Sequence, residues 1–324
     1  MKVVKGLIAG IAMVLASSVC AQQYAARTEV HPIQSMTLST AQFLSGKTDG
    51  KPVTLAGELR VPVGKPGTKF PTLIAVHGSS GIGINIDRWA HELNSIGVAV
   101  FLLDSFTGRG ITSTVADQGL LDHLAMLYDA YRALDLLATH PMVDPQRIGV
   151  LGFSKGGVAS VYAAMNRFNE TYGSKKARFA TYMAFYPPCY KYIDDEKIDA
   201  KPIRIFHGEA DDYVPIAPCR DYVSRLQARG ADVSIIGYPD SYHGFDSQTL
   251  PPQVRLPQAQ QAVKCRLEEG AGGSIVNIDT GKPFERTDAC TGVGATVGYN
   301  KDAHMKAIED VKREVKAVFK MESR

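Results

Sequence analysis

Apolar and polar positions follow two different periods along this chain, and the two periods predict different elements. Short apolar runs predict buried strands, whereas longer segments with apolar residues at a spacing of three or four predict helices. The strand pattern occurs at residues 72–76, 98–103, 148–153, 179–185, 202–206 and 233–238. The helix pattern occurs directly after Ser154 and at residues 89–96, 120–138, 219–228 and 302–319. This alternation predicts an α/β fold with a mostly parallel central sheet and helices on both faces.

Two segments outside this alternation behave differently. Residues 36–44 and 53–61 are alternating runs separated by a turn at residues 46–50, and we expect them to pair as antiparallel strands. Residues 246–300 are rich in Pro, Gln and Gly, and we expect a long loop insertion there. A loop of this length is uncommon unless it is functional or tied down, so it is either a mobile surface excursion or a cover over the site.

One predicted strand-to-helix junction carries a Gly-x-Ser-x-Gly motif. The strand ends in Gly152-Phe153-Ser154-Lys155-Gly156, and the helix follows at once. The two glycines let the backbones approach closely and leave the Ser154 hydroxyl projecting from a sharp turn. The start of the helix also directs free N–H groups at developing negative charge. The motif predicts that Ser154 is a nucleophile, and the alternative is a glycine-rich turn with an incidental serine.

A serine hydroxyl needs a base, which is usually a histidine oriented by a carboxylate. Three histidines follow Ser154, namely His207, His243 and His304. We predict that His243 is the base, because it follows the last strand at the sheet edge where parallel strands end and ligands bind. His207 precedes a glycine at a strand end and His304 lies in the last helix, so we expect structural roles for both.

The acid that orients the base is expected between Ser154 and His243, as is usual for this motif. The segment after the strand at residues 202–206 contains three candidates, Glu209, Asp211 and Asp212. We predict that Asp211 is the acid, with Asp212 as the first alternative and Glu209 as the second. One carboxylate can be buried against the imidazole while its neighbour points to water.

An oxyanion hole needs backbone N–H groups at the position where charge develops. The residue after the nucleophile, Lys155, is predicted to supply one of them. The loop after the strand at residues 72–76 is predicted to supply the other, through the N–H of Ser79. On the same edge, Arg109 either contacts a substrate carboxylate or locks its loop through Asp104, and we favour the structural lock.

The chain is identified as a member of the dienelactone hydrolase family, within the α/β-hydrolases, by five motifs. In chain order these are His77-Gly78-x-x-Gly81, Asp104-Ser105-Phe106-x-x-Arg109-Gly110, Arg147-Ile148-x-Val150-x-Gly152-Phe153-Ser154-x-Gly156-Gly157, Gly208-x-x-Asp211 and His243-Gly244-Phe245. The resemblance covers residues 72–245. It implies an α/β-hydrolase fold, a triad of Ser154, Asp211 and His243, and hydrolysis of carboxylic esters or lactones without a cofactor.

The chain also departs from the enzymes that gave this family its name. Those enzymes carry a cysteine nucleophile, a glutamate at the position of Gly78 and an arginine near Ser247. This chain has Ser154 as its candidate nucleophile and neither of the other two groups. The resemblance therefore implies a general serine esterase rather than an enzyme for dienelactone.

The first 21 residues are typical of a secretory signal peptide. Lys2 and Lys5 precede an apolar run at residues 6–19, and cleavage is expected after Ala21. Cys20 raises a lipoprotein as the alternative, but residues 17–19 match poorly the small residues expected before a lipidated cysteine. We therefore expect a single domain at residues 22–324, exported to the periplasm or secreted.

Charge gives no reason to expect nucleic acid or an anionic membrane as a partner. The net charge is +3, and removal of Lys2 and Lys5 would leave +1. After the signal peptide the sequence has no run long and apolar enough to span a membrane, and we expect a monomer.

Four of the five cysteines remain after the expected cleavage. An even number in an exported protein suggests two disulfides, although four cysteines allow three pairings. We favour Cys189–Cys219, which follow successive strands on one edge, and Cys265–Cys290, which bracket one glycine-rich loop. No cysteine shows C-x-x-C spacing, so we expect no zinc site.

These patterns together predict an exported serine esterase that acts on a small-molecule ester or lactone. Two other classes remain open. A secreted serine peptidase of the same fold would need a feature that binds a peptide terminus, and the sequence shows no acidic cluster or added domain for it. A non-catalytic binding protein would lack a member of the triad.

Overall fold

The computed structural model describes residues 26–322 and is built around one eight-stranded sheet. In chain order its strands are β1 (Arg27–Thr37), β2 (Lys51–Val61), β3 (Phe70–Val76), β4 (Ala99–Asp104), β5 (Val143–Phe153), β6 (Tyr182–Phe185), β7 (Ile203–Gly208) and β8 (Val233–Tyr238). Their order across the sheet is β1-β2-β4-β3-β5-β6-β7-β8. The β1–β2 and β2–β4 pairs are antiparallel and the other neighbouring pairs are parallel. The predicted mostly parallel sheet is confirmed.

Helices cover both faces of this sheet. The α-helices of the described chain are α1 (Thr40–Leu44), α2 (Ile84–Asn94), α3 (His123–Leu137), α4 (Lys155–Tyr162), α5 (Asn166–Tyr172), α6 (Ala217–Gln227) and α7 (Lys301–Val318). Because side chains alternate along a strand, β3 feeds two cores. Ile74 and Val76 pack in the core that includes α3, α4 and α6, whereas Leu73 and Ala75 pack in the core with α2 and α7.

The predicted strand at residues 36–44 is wrong over most of its length. Strand β1 ends at Thr37, and residues 40–44 form α1. Ser39 ends the strand because it caps this helix: its hydroxyl accepts from the Gln42 N–H at 3.2 Å, and Gln42 Oε1 accepts from the Ser39 N–H at 2.9 Å. This reciprocal capping box favours a helix here, and it outweighs the alternation of apolar and polar residues that predicted a strand. The antiparallel pairing itself is present, between β1 and β2.

The expected loop at residues 246–300 is also wrong, because this insertion has secondary structure of its own. It contains β9 (Val254–Gln261), β10 (Leu267–Glu269), β11 (Ile275–Asn277), β12 (Lys282–Pro283) and β13 (Gly292–Val297). Strands β9 and β13 form an antiparallel pair, and β10, β11 and β12 form a small sheet. Strands β10, β11 and β12 have only two or three residues, Pro257 interrupts the alternation in β9, and β13 contains two glycines, so none of them stands out in the sequence.

Covalent and ionic links hold the insertion together and join it to helix α5. Cys265–Cys290 closes the insertion, and Cys189–Cys219 joins the segment after β6 to α6. Both are the pairings that the sequence favoured. The guanidinium of Arg167 on α5 donates to both carboxylate oxygens of Glu269 on β10, at 2.8 and 2.6 Å. Such two-point ion pairs fix orientation as well as distance.

Arg109 is a structural lock, as favoured, but its partner is not Asp104. Its guanidinium donates to both oxygens of Asp129 on α3, at 2.7 and 3.0 Å, and to the backbone carbonyls of Ser105 and Met36. Asp104 instead caps the turn that follows β4, where it accepts from the N–H groups of Phe106 and Thr107. The Asp129 side chain is completely buried, so the ion pair joins β1, α3 and the turn after β4 inside the core.

We expect Arg109→Met to lower the free energy of unfolding by about 3–5 kcal/mol, because it leaves the buried Asp129 carboxylate without its counterion. Arg147→Met is the matched control, since Arg147 and Asp144 form an ion pair that is about one quarter to one third exposed. This control is expected to cost less than about 1 kcal/mol. Urea denaturation of both variants measures the difference. Equal losses would contradict a buried lock at Arg109.

None of the helices between residues 26 and 322 combines the length and the apolar character that crossing a bilayer requires. The predicted signal peptide at residues 1–21 lies outside the described residues.

Candidate active site

Ser154 stands on the turn between the central strand β5 and helix α4. Its backbone has φ 52° and ψ −115°, a positive φ that a non-glycine residue adopts only under strain. Its N–H donates to the carbonyl of Phe185 on β6 at 2.9 Å, which holds the turn against the neighbouring strand. The hydroxyl makes no capping bond to α4 and is free to act elsewhere.

The glycines of the motif allow the backbones around Ser154 to meet. A Cβ on Gly152 would lie less than 3.0 Å from the backbone oxygen of Gly156. A Cβ on Gly156 would lie equally close to the backbone oxygens of Val76 and His77, where β3 ends. Glycine at both positions therefore lets α4 begin directly against β3 and β5.

His243 and Asp211 come together with Ser154 in one chain of hydrogen bonds. His243 Nε2 lies 2.9 Å from Ser154 Oγ, and its Nδ1 lies 2.8 Å from Asp211 Oδ2. The other carboxylate oxygen, Asp211 Oδ1, accepts from the backbone N–H groups of Tyr213 and Val214, at 3.0 and 2.8 Å. The Asp211 side chain is thus buried, aimed at the imidazole and fully hydrogen-bonded.

The segment that carries His243 is held from both sides. The buried carboxylate of Asp246 accepts from the Tyr186 hydroxyl at 2.6 Å and from the Trp89 indole at 2.8 Å. The His243 carbonyl accepts from the N–H of Gly298, just after β13. The ring of Tyr186 also packs against the imidazole, with ring centroids 4.5 Å apart. These contacts restrict where the imidazole can point.

The other candidates for the acid and the base make different contacts. Asp212 accepts from the backbone N–H and the hydroxyl of Thr296 on β13, at 2.8 and 2.7 Å, so it anchors the insertion. Glu209 pairs with Arg220 at the surface. His207 is buried with its Nδ1 against the Gly208 carbonyl, and His304 is buried beside Trp89. None of these side chains reaches the Ser154 hydroxyl through a hydrogen bond.

Two backbone N–H groups near Ser154 are available to an oxyanion. Within residues 26–322, no acceptor is hydrogen-bonded to the N–H of Ser79 or to that of Lys155. Ser79 lies in the tight turn between Gly78 and Gly81, at the end of β3. A Cβ on Gly78 would lie only 3.3 Å from the Cβ of Ser154, so this turn passes directly over the serine.

Gln118, in the segment between β4 and α3, forms hydrogen bonds beside the site that were not predicted from the sequence. Gln118 Oε1 accepts from the Ser79 hydroxyl at 3.0 Å, and Gln118 Nε2 donates to the Tyr213 hydroxyl at 3.1 Å. The Lys155 ammonium is buried below the same segment, and burial is the main cause that lowers its pKa to about 7. Gln118 lies in a polar stretch without period or motif, so only the folded chain could place it beside the site.

Ser154 opens into a cavity of about 640 Å³. Its lining includes Ser79, Tyr190 and Tyr213 from the main body and Gln260, Ile275 and Phe284 from the insertion. The insertion therefore forms one wall of the cavity. Small-molecule sites have this size and this mixture of aromatic and polar lining.

One cluster of side chains with metal-ligand chemistry joins the edge strand β1 to the segment between α3 and β5, and none of its members lines the cavity at Ser154. Glu29, His31 and His140 place their ligand atoms within 4.8 Å of one another, and Glu29 Oε2 contacts both imidazoles at 3.0 and 2.9 Å. His140 Nδ1 accepts from the Met142 N–H at 3.3 Å. That bond keeps the proton on the other nitrogen, which faces Glu29, so the cluster suits a hydrogen-bonded brace better than a metal.

A mostly parallel sheet flanked by helices, with a serine on a strained strand-to-helix turn and a histidine after the last strand of that sheet, defines an α/β-hydrolase. The model of the dienelactone hydrolase family matches residues 59–269, about two thirds of the chain. The chain belongs to the dienelactone hydrolase family and is a hydrolase of the dienelactone hydrolase or esterase type.

Individual relatives are distant. A protein of Methylorubrum extorquens, provisionally named a carboxymethylenebutenolidase, is 24% identical over 240 residues, which cover 66% of this chain and 80% of the relative. An uncharacterized peptidase of Bacillus subtilis is 23% identical over 69% of this chain, but the match spans only 38% of that peptidase. A solved dienelactone hydrolase-like promiscuous phosphotriesterase from metagenomic libraries has a TM-score of 0.54 at 13% identity, covering 90% of this chain and 98% of that one. The solved structure supports the fold alone.

Proposed function

We propose that the protein is a serine esterase that hydrolyses carboxylic esters or lactones through an acyl-enzyme. The observation that carries the proposal is the continuous hydrogen-bonded chain from Ser154 Oγ through His243 to Asp211, at 2.9 and 2.8 Å, beside a cavity of about 640 Å³. A hydroxyl, a base and an orienting acid in this order are the requirements for nucleophilic acyl transfer.

In the proposed reaction Ser154 Oγ attacks the ester carbonyl while His243 Nε2 takes the hydroxyl proton. His243 then gives that proton to the leaving alcohol, and the Ser154 acyl-enzyme remains. A water molecule attacks the acyl carbon with His243 again as base, which releases the acid and restores the serine. Asp211 accepts a hydrogen bond from the Nδ1–H group throughout without taking its proton, so it keeps Nε2 free to accept and stabilises the charged imidazolium.

The two free backbone N–H groups complete the proposed site. As the carbonyl carbon becomes tetrahedral, its oxygen gains negative charge that the N–H groups of Ser79 and Lys155 can stabilise. The start of α4 adds the positive end of a helix dipole at the same place. All three features favour the tetrahedral intermediate over the planar ester, which is the condition for faster chemistry.

The substrate is proposed to be a small-molecule ester or lactone. The cavity has room for a molecule of ordinary metabolite size, and the insertion closes one side of it. The two groups that distinguish the enzymes after which the family is named, a glutamate at the position of Gly78 and an arginine near Ser247, are absent from this chain. A general esterase is therefore proposed rather than an enzyme for dienelactone.

We also propose that the protein is exported and acts as a monomer after cleavage near Ala21. Two disulfides support export, because such bonds persist in oxidising compartments.

Turnover of p-nitrophenyl esters of increasing acyl length tests the proposal, with Ser154→Ala as the blank. Purified protein is expected to hydrolyse at least the short-chain esters, and a fluorophosphonate probe is expected to label a peptide that contains Ser154. Peptide p-nitroanilides in the same series test the alternative of a serine peptidase, which draws on the match to the bacterial peptidase. Hydrolysis of the anilides alone would favour the peptidase. No turnover and no labelling would leave a non-catalytic binding protein.

A further inference from the structure

We propose that the side chain of Lys155 is a positioning residue for the oxyanion hole. It fixes the segment at residues 114–121, and through Gln118 of that segment it holds Ser79 in place over Ser154. The inference rests on the proposed esterase function, and it extends that function to a side chain that touches no reacting atom.

The ammonium of Lys155 is bound to three acceptors on this one segment. Its Nζ donates to Thr114 Oγ1 at 2.9 Å, to the Gln118 carbonyl at 3.1 Å and to the Leu121 carbonyl at 2.8 Å. In its charged form the amine offers three donors, so each of its protons then has an acceptor. Lys155 thereby joins the beginning, the middle and the end of the segment to the first turn of α4.

The same segment contacts Ser79 at two points. The Thr114 N–H donates to the Ser79 carbonyl at 2.8 Å, and the Ser79 hydroxyl donates to Gln118 Oε1 at 3.0 Å. Gln118 is itself fixed, since its N–H donates to Gln260 Oε1 at 2.8 Å. The carbonyl and the side chain of Ser79 are therefore both restrained, and the direction of its N–H depends on where the segment lies.

Burying the Lys155 ammonium costs free energy, which favours a functional role for this side chain. The Lys155 residue is only 8% exposed. The carboxylates of Asp122 and Asp117 are near enough to raise its pKa, but neither makes a direct ion pair with its ammonium. An ammonium whose direct partners are all neutral loses hydration that these acceptors replace only in part, and an apolar side chain would fill the same space at lower cost. What an apolar residue could not do is bind the three acceptors of the segment.

Lys155 thus contributes to the proposed oxyanion hole through both its backbone and its side chain. The Lys155 backbone offers its own N–H to the oxyanion, while its side chain holds the segment that orients the N–H of Ser79. Since a displacement of about 1 Å at such a site can lower a rate about 100-fold, a loose segment is expected to slow the chemistry rather than weaken substrate binding.

Lys155→Met tests the inference, with kcat and KM measured on a short-chain p-nitrophenyl ester. We expect kcat to fall roughly 10- to 100-fold while KM changes by less than about threefold. Lys312→Met is the matched control, because Lys312 also uses its ammonium in contacts, to Glu92 and Ser95, but on a helix away from the cavity. The control is expected to keep the kcat of the wild type.

A double-mutant cycle shows whether Lys155 acts through Gln118. Gln118→Ala removes the hydrogen bond to the Ser79 hydroxyl, and this variant is expected to have a lower kcat with an unchanged KM. The Lys155→Met/Gln118→Ala protein is expected to be no slower than the slower single variant, because both changes release the same residue. Fully additive losses, or a kcat of Lys155→Met equal to that of the wild type, would overturn the inference.

Folding is checked by urea denaturation of every variant. If Lys155→Met does not fold, Ser79→Ala and Gln118→Ala break the same connection without touching the lysine, and the inference requires both to lower kcat and their combination to lower it no further. Unchanged kcat in both would overturn it. If the wild-type protein turns over no ester at all, the proposed function itself fails. If the wild type is active and Lys155→Met is equally active, only the inference about Lys155 fails.

Discussion

Ser154→Ala is expected to lower kcat for a p-nitrophenyl ester by about 10⁴- to 10⁶-fold, with the fold intact. The substitution removes the hydroxyl that is proposed to attack the ester carbonyl, so His243 has no serine proton to take and no acyl-enzyme forms. The residual rate would come from the oxyanion donors and from substrate binding alone. Initial rates, together with the loss of fluorophosphonate labelling, measure the effect.

Ser160→Ala is a matched control for this substitution. Ser160 lies on α4 six positions later, is completely buried, and its hydroxyl has no hydrogen-bond partner among the described residues. Its removal is expected to leave kcat unchanged. Ser154 itself makes no capping bond to α4, so its hydroxyl should contribute little to folding. If Ser154→Ala retained more than about one hundredth of the wild-type rate, the nucleophile would have to be another group.

Asp211→Asn is expected to lower kcat by about 10⁴-fold. An amide at this position can still accept from the N–H groups of Tyr213 and Val214, so the local backbone should persist. Its NH₂ group, however, would face His243 Nδ1 and favour the tautomer with the proton on Nε2. That proton points at Ser154, and the imidazole can then no longer act as the base.

Asp212→Asn makes the same chemical change one residue away. Asp212 contacts Thr296 of the insertion and not His243, so kcat is expected to fall less than about tenfold. The pair of variants separates a carboxylate that orients the base from one that anchors the cavity wall. Comparable losses of kcat in both would contradict the assignment of Asp211, and a larger loss in Asp212→Asn would reverse it.

The adjacent aspartates show how the insertion and the site depend on each other. Asp211 turns toward the imidazole, while Asp212 holds β13, and the residue after β13 binds the carbonyl of His243. The insertion thus forms the cavity wall and also supports the base. Changes in the insertion are therefore expected to affect catalysis as well as the choice of substrate.

The sequence by itself determined the parts that depend on short stretches of chain. The order of strands and helices follows from the period of apolar residues, and strand β8 coincides with the predicted residues 233–238. The turn around Ser154 follows from two glycines at a strand end, because only glycine allows the backbones to approach so closely. The placing of His243 near Ser154 followed from the rule that parallel strands end on one edge.

The tertiary structure decided everything that depends on contacts between distant segments. Asp129, and not the nearby Asp104, binds Arg109, and Gln118 reaches Ser79 across 39 positions. The short strands of the insertion are stabilised by pairing, by a disulfide and by contacts with the main body, none of which leaves a periodic signal. The physical reason is that the period of apolar residues and the geometry of a turn are determined by residues close together in the sequence. The partner of a buried charge or of a free N–H group is determined by how distant segments pack against each other.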